Sequence, residues 1–192
     1  MNQKDILKIF KTEKALLTGH FLLSSGLHSP NYMQCALLLQ KPWIAERLCK
    51  ALAKKLKGIK VDVVIGPALG GVIVSYEMAR ALKVRSLFAE RLDGALVLRR
   101  GFSLKKSDRV LVVEDVITTG KSTREVIDII KQQGAKLVAV AAIVDRSPNL
   151  SIFEVPLASV LKIDIQTYLP SDCPLCKAGK IPAIKPGSRS SK

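Results

Sequence analysis

Three stretches of the chain are almost wholly apolar: VDVVI at 61–65, RVLVV at 109–113 and LVAVAAIV at 137–144. VRSLFAE at 84–90 reads as a further strand. Between them lie segments with helical periodicity. VIVSYEMARAL (72–82) follows a Gly-Gly pair. Residues 121–133 turn Val126, Ile129 and Ile130 to one side, and Gly134 is a C-terminal stop. Continuous apolar strands that alternate with helices require a parallel sheet covered on both faces, so the expected class is α/β. In such sheets ligands sit beyond the carboxyl ends of the strands, at the switch point. The loops that begin at Gly66, Arg91, Glu114 and Asp145 are therefore the ones to search for chemistry.

The remaining elements are expected around that sheet. Residues 3–17 read as one amphipathic helix, and 19–40 as a loop or short strands. Pro42 opens a helix through about Lys57, with Ile44, Leu48, Leu52 and Leu56 as its core-facing stripe. LFAERLDGALVLRRGF places Asp93-Gly94 between two apolar segments, a two-residue hairpin signal. Such a hairpin on the ligand side of the sheet is a natural lid, and it carries Glu90, Arg91, Arg99 and Arg100. The 192 residues suffice for one domain with a sizeable core. Its expected parts are an N-terminal helix and hood (1–40), a parallel-sheet core (58–170), a lid hairpin (91–101) and a basic C-terminal tail (171–192).

Charge and cysteine usage narrow the partners. Lys and Arg total 31 against 16 acids, a net charge of +15, which suits an anionic partner. Lys50, Lys54, Lys55 and Lys57 lie on an expected helix face, and Lys177, Lys180, Lys185, Arg189 and Lys192 fall in the tail. With only 5% aromatic residues there are few platforms on which bases could stack. Phosphorylated small molecules are thus favoured over nucleic acid. No apolar run reaches the ~20 residues that cross a bilayer, and the charged N-terminus lacks a signal-peptide core, so a cytoplasmic location is expected. Cys173-Pro-Leu-Cys176 has zinc-knuckle spacing. His20 and His28 are remote in sequence, so a zinc site would have to recruit Cys35, Cys49 or a second subunit. A plain C-terminal turn is the favoured reading there.

VLVVEDVITTGKST (110–123) carries the chemistry. Its last four residues look like the end of a P-loop, but that motif needs a glycine five positions before the Gly-Lys pair. Asp115 stands there, preceded by Glu114, and two carboxylates would repel a triphosphate. Thr118, Thr119, Gly120, Lys121 and Ser122 surround a helix N-terminus, where hydroxyls, free N–H groups and the dipole make a monophosphate pocket. Glu114 and Asp115, several residues earlier, suit a diol. A phosphate beside a diol describes ribose 5-phosphate.

The same stretch resembles the phosphoribosyl-pyrophosphate motif of the type I phosphoribosyltransferases. FLLSSGLHSPNY (21–32), GPALGG (66–71), FAER…LRRGF (88–102), VDRS (144–147) and CPLCKAG…KPGSR (173–189) narrow the likeness to bacterial orotate phosphoribosyltransferases, over nearly the whole chain. The resemblance implies that family's fold and the transfer of ribose 5-phosphate from phosphoribosyl pyrophosphate to orotate. It implies Mg²⁺ carried on the pyrophosphate and ribose hydroxyls rather than on protein ligands, and a homodimer. It assigns the sugar phosphate to Glu114, Asp115, Val116, Ile117, Thr118, Thr119, Gly120, Lys121 and Ser122. Arg91 and the turn containing Gly70 and Gly71 fall to the pyrophosphate. Thr118, Arg146, Ser25 and Tyr32, with Ser24 nearby, fall to orotate.

Glu114, Asp115, Arg99 and Arg100 are the implied catalytic groups. Departures from the better-known members are also legible. Gly70 and Ser24 stand where those enzymes carry lysines, and residues 91–101 hold neither the lysine nor the histidine of their lids. Arginine holds its proton near neutral pH, so Arg99 and Arg100 are expected to neutralise charge rather than act as acids. The rival readings are a purine or xanthine phosphoribosyltransferase and a non-catalytic regulator that senses the pyrophosphate sugar and binds nucleic acid.

Overall fold

The computed structural model describes residues 1–23, 25–148 and 152–186. Helix α1 (Gln3–Thr12) starts with a capping box in which the Asn2 and Asp5 side chains each accept the other's backbone N–H. It stops earlier than its apolar pattern implies. Lys14 takes a positive φ of 54°, and Leu16 and Leu17, expected on the helix, begin strand β1 (Leu16–Leu22). There Leu16 pairs with Met33 and Leu17 with Tyr32 of the antiparallel β2 (His28–Met33). A short α2 (Ala36–Leu39) leads into α3 (Pro42–Lys55), which has Pro42 in its first turn. Ile44, Leu48 and Leu52 on α3, and Leu56 just past it, are all buried. Each such leucine contributes about 1.5–3 kcal/mol relative to exposure.

The sheet follows: β3 (Val63–Pro67), α4 (Gly70–Leu82), β4 (Arg85–Leu92), β5 (Ala95–Val97), β6 (Arg109–Ile117), α5 (Lys121–Gln132), β7 (Lys136–Asp145) and β8 (Leu157–Lys162), then a short α6 (Pro174–Ala178). The spatial order is β5-β4-β3-β6-β7-β8. All neighbours are parallel except the edge pair β4–β5. The expected parallel sheet is thus present, with an antiparallel edge and an eighth strand that no sequence signal announced. Alternation along the strands sorts side chains onto two faces. Val64, Leu111 and Val113 pack with α3 and α4, whereas Val63, Ile65, Val110 and Val112 pack with Val126, Ile129 and Ile130 of α5. Both faces are covered, which is why these strands read as unbroken apolar runs.

Order reverses between β3 and β6. From β3 the chain crosses to β4 on one side, and β6 then pairs with β3 on the other. The loops that leave these two strands are therefore neighbours at the carboxyl edge. The turn at Asp93–Gly94 joins β4 to β5 as its dipeptide predicts. The hairpin does not stand free, because Leu96 is buried in the same apolar cluster as Val126 and Ile130 of α5. Nor is the C-terminal segment loose up to Pro186. The Leu22 N–H donates to Ile184 O at 2.8 Å, and the Ile184 N–H to His20 O at 2.9 Å. Arg189 and Lys192 of the expected tail, and Ser24, lie outside the described residues.

Candidate functional site

The end of β6 carries Glu114 and Asp115 to the switch point. Both carboxylates press against the start of α4. A Cβ placed on Gly70 would stand 2.5 Å from the Asp115 carboxylate, and one on Gly71 would stand 2.9 Å from Glu114 Oε2. In this arrangement a side chain at position 70 would displace the Asp115 carboxylate. Glu114 Oε2 is buried and has no hydrogen-bond partner among the described residues. Burial, with the Asp115 charge beside it, pushes the Glu114 carboxyl from its usual 4.5 up to about 9. Burial also raises Asp115, against the opposing pull of the Val116 N–H, which donates to its Oδ1 at 2.8 Å. Crowded and under-solvated, the pair is poised to accept hydroxyl protons or to face a cation.

Next to it, Glu114, Val116, Ile117, Thr118, Thr119, Gly120, Lys121, Ser122 and Thr123 line a cavity of about 70 Å³ at the N-terminus of α5. Gly120 caps the helix at φ 74°, a left-handed conformation that turns the loop back over free N–H groups. A pocket of this size, with hydroxyls and a helix dipole, matches a single phosphate group.

A second cavity of about 660 Å³ opens beside the first. Leu22, Leu23, Ser25, Leu27 and Tyr32 of the β1–β2 hairpin form one wall, and Thr118, Thr119, Arg146 and Pro148 another. Asp164, Ile165, Thr167 and Pro186 complete it. The structure therefore gathers all four residues expected around the base. Arg146 Nε is buried without a hydrogen-bond partner among the described residues, and burial pulls the guanidinium below its usual range. A desolvated, under-partnered guanidinium favours an anion, and a planar carboxylate matches its fork. The backbone of Arg146 is fixed by its N–H, which donates to Ile117 O at 2.8 Å. Its neighbour Asp145 is pushed up by burial and pulled down more strongly by hydrogen bonds from Lys162 and Ser147. The net lowering holds it as a carboxylate that anchors the strand end.

The lid arginines stand apart. Arg91 is paired with Glu125 of α5 at 3.1 Å, and Arg100 with Glu90 at 2.9 Å. Arg99 reaches Glu90 at 3.8 Å. None of them lines either cavity. Sequence reasoning missed Asp164, Ile165 and Thr167, which follow β8 and belong to no motif, and it did not place Pro186 of the KPGSR stretch at this cavity. Only the three-dimensional return of the C-terminal segment brings them in.

The phosphoribosyl transferase domain family matches residues 38–150. The orotate phosphoribosyltransferase of Carboxydothermus hydrogenoformans is 57% identical over 187 residues, which cover 96% of this chain and 97% of that one. That of Caldicellulosiruptor saccharolyticus is 54% identical over 192 residues and the full length of both. The crystal structure of the Aeropyrum pernix orotate phosphoribosyltransferase superposes with a TM-score of 0.68 at 26% identity, covering 82% of this chain and 93% of that chain. The chain that carries this acidic pair, the cavity at the start of α5 and the Arg146 cavity thus belongs to the phosphoribosyl transferase domain family and, within it, to the orotate phosphoribosyltransferases.

Proposed function

We propose that this chain transfers ribose 5-phosphate from phosphoribosyl pyrophosphate to N1 of orotate, giving orotidine 5′-monophosphate and pyrophosphate, a step of pyrimidine nucleotide synthesis. The observation that carries this reading is that Thr118 and Thr119 line both cavities. A phosphate held at Gly120–Ser122 then has its sugar at Glu114–Asp115, and its anomeric carbon faces a base held by Arg146. The bond from C1′ to pyrophosphate breaks and its electron pair leaves with the pyrophosphate. C1′ bonds to N1, whose proton leaves to water.

Each group has a physical task. Thr118–Ser122 hold the 5′-phosphate. Asp115 and Glu114 hold the ribose hydroxyls, and once a cation-bearing substrate has driven the proton from Glu114 their negative charge favours the oxocarbenium character that grows on the sugar. Gly70 and Gly71 expose backbone to the pyrophosphate. Arg91, Arg99 and Arg100 offset its charge once they exchange their carboxylate partners for it. Arg146 takes the orotate carboxylate, with Thr118, Ser25 and Tyr32 around the ring. The unpartnered Glu114 oxygen and its raised pKa fit a cation-bearing substrate; Glu114 and Asp115 would hold the Mg²⁺-bearing sugar, and the ion would supply charge neutralisation to the leaving group.

The working unit is a homodimer, in keeping with Trp43, Ile73 and Tyr76, large apolar side chains exposed on α3 and α4. No helix among the described residues is long and apolar enough to cross a membrane, and the place of work is the cytoplasm.

The test is pyrophosphate release in the presence of phosphoribosyl pyrophosphate and Mg²⁺, with orotate, hypoxanthine and xanthine offered separately. Turnover with orotate alone is expected. No turnover with orotate refutes the reading.

A further inference from the structure

The Cys173/Cys176 pair does not stand alone. His20 from the middle of β1 and His28 from the start of β2 meet it, and one ligand atom from each of the four residues lies within 4.8 Å of all the others. We propose that His20, His28, Cys173 and Cys176 bind one zinc ion, which staples the C-terminal segment to the β1–β2 hairpin. Cys35 and Cys49, the partners that sequence spacing had left available, are instead buried in the apolar core.

The distances are compatible with a tetrahedral shell. Cys173 Sγ and Cys176 Sγ each lie 3.6 Å from His20 Nε2, and Cys176 Sγ lies 3.2 Å from His28 Nδ1. His20 Nε2 and His28 Nδ1 are 2.8 Å apart. With Zn–S about 2.3 Å and Zn–N about 2.0–2.1 Å, a tetrahedral site has N···S edges of about 3.6 Å and an N···N edge of about 3.3 Å. These four edges lie within about half an ångström of such a shell, and the remaining two are no longer than 4.8 Å.

Protonation also points to a cation. His20 Nδ1 is 2.9 Å from Ile181 O. A carbonyl only accepts, so Nδ1 carries the proton and the lone pair of Nε2 faces the cluster. This is the outer hydrogen bond that orients a metal-bound histidine. His20, His28 and Cys173 are buried, so the metal would be shielded on most sides, while Cys176 borders solvent and gives it a way in. Two neutral imidazoles and two thiolates make the closed, neutral N₂S₂ set of structural zinc. Binding releases the two thiol protons.

The staple has a clear mechanical place. Leu23, Ser25 and Leu27, between the two histidines, and Pro186 beyond α6 all line the 660 Å³ cavity. The Phe21–Ile184 and His28–Tyr168 bridges already draw these segments together, and a metal would fix them.

The test is metal content and cobalt spectroscopy on the full chain, purified under reducing conditions without chelators. One zinc per chain is expected. After metal removal, Co²⁺ should give the strong visible bands of a tetrahedral thiolate site. Cys176→Ser and His28→Ala should each lose most of the bound metal, whereas Cys49→Ser should keep it. Should the cluster variants fail to fold, the wild-type cobalt spectrum decides. The proposal is overturned if the reduced, folded wild-type chain takes up neither Zn²⁺ nor Co²⁺, if the cobalt spectrum lacks thiolate bands, or if Cys176→Ser and His28→Ala both retain the full complement. An air-oxidised chain that shows a Cys173–Cys176 disulfide, and still takes up no metal once reduced, also overturns it.

Discussion

Position 70 shows how much of the site rests on an atom that is absent. The sequence shows a glycine where better-known relatives carry a lysine, and in this chain the Asp115 carboxylate occupies the space of a Cβ. Gly70→Ala should displace that carboxylate and lower kcat/KM for phosphoribosyl pyrophosphate by more than tenfold (about 1.4 kcal/mol), with Tm nearly unchanged. Steady-state kinetics beside a thermal melt check both halves. Glu114 makes a second prediction at this scale. Its carboxyl is raised from 4.5 to about 9 in the folded chain, so between those values the folded state holds a proton that the unfolded state has released. Stability is therefore fully present below about pH 4.5 and falls as pH rises towards 9. Glu114→Gln should flatten that fall in thermal melts of the unliganded protein. An unchanged slope would mean that the group is not perturbed. The pair Glu114–Asp115 was legible as a candidate site from its place before Thr-Thr-Gly. Its burial and mutual repulsion were not, because they depend on α4 and not on neighbours in sequence.

Elements divide by how local their causes are. β3, β6 and β7 announce themselves through unbroken apolar runs because both sides are buried, and the Asp93–Gly94 turn is fixed by its own two residues. The length of α1 could not be read in the same way. Leu16 and Leu17 keep the helical rhythm, but pairing with Met33 and Tyr32 claims them for a strand. The β4–β5 hairpin makes the third prediction. Its arginines rest on Glu90 and Glu125, so pyrophosphate must compete with exposed ion pairs, each worth about 0–1 kcal/mol. That barrier is small. Arg99→Ala and Arg100→Ala should each lower kcat by more than tenfold, with little change in Tm. Unchanged kinetics in both would remove the hairpin from the mechanism.

On the scale of the whole molecule, the order β4-β3-β6-β7 places two loops, 50 residues apart, side by side at one sheet edge. The C-terminal segment adds a wall to the cavity beside Arg146 by returning to β1 and β2. The first of these was legible because alternating strands and helices leave few topologies. The second was not, since His20 and His28 lie about 150 residues from Cys173 and Cys176 and carry no spacing signature. Stripping metal from the chain should therefore lower its Tm, and Zn²⁺ should restore it. The central claim, that one continuous site joins a sugar phosphate to a carboxylated base, is tested most directly by following orotidine 5′-monophosphate formation in the wild type and in Arg146→Ala. A charge-assisted hydrogen bond is worth about 1.5–3 kcal/mol, so the variant should raise KM for orotate by roughly 10- to 100-fold and leave KM for phosphoribosyl pyrophosphate near its original value. A wild type that forms no orotidine 5′-monophosphate, or an Arg146→Ala variant with unaltered KM for orotate, would contradict it.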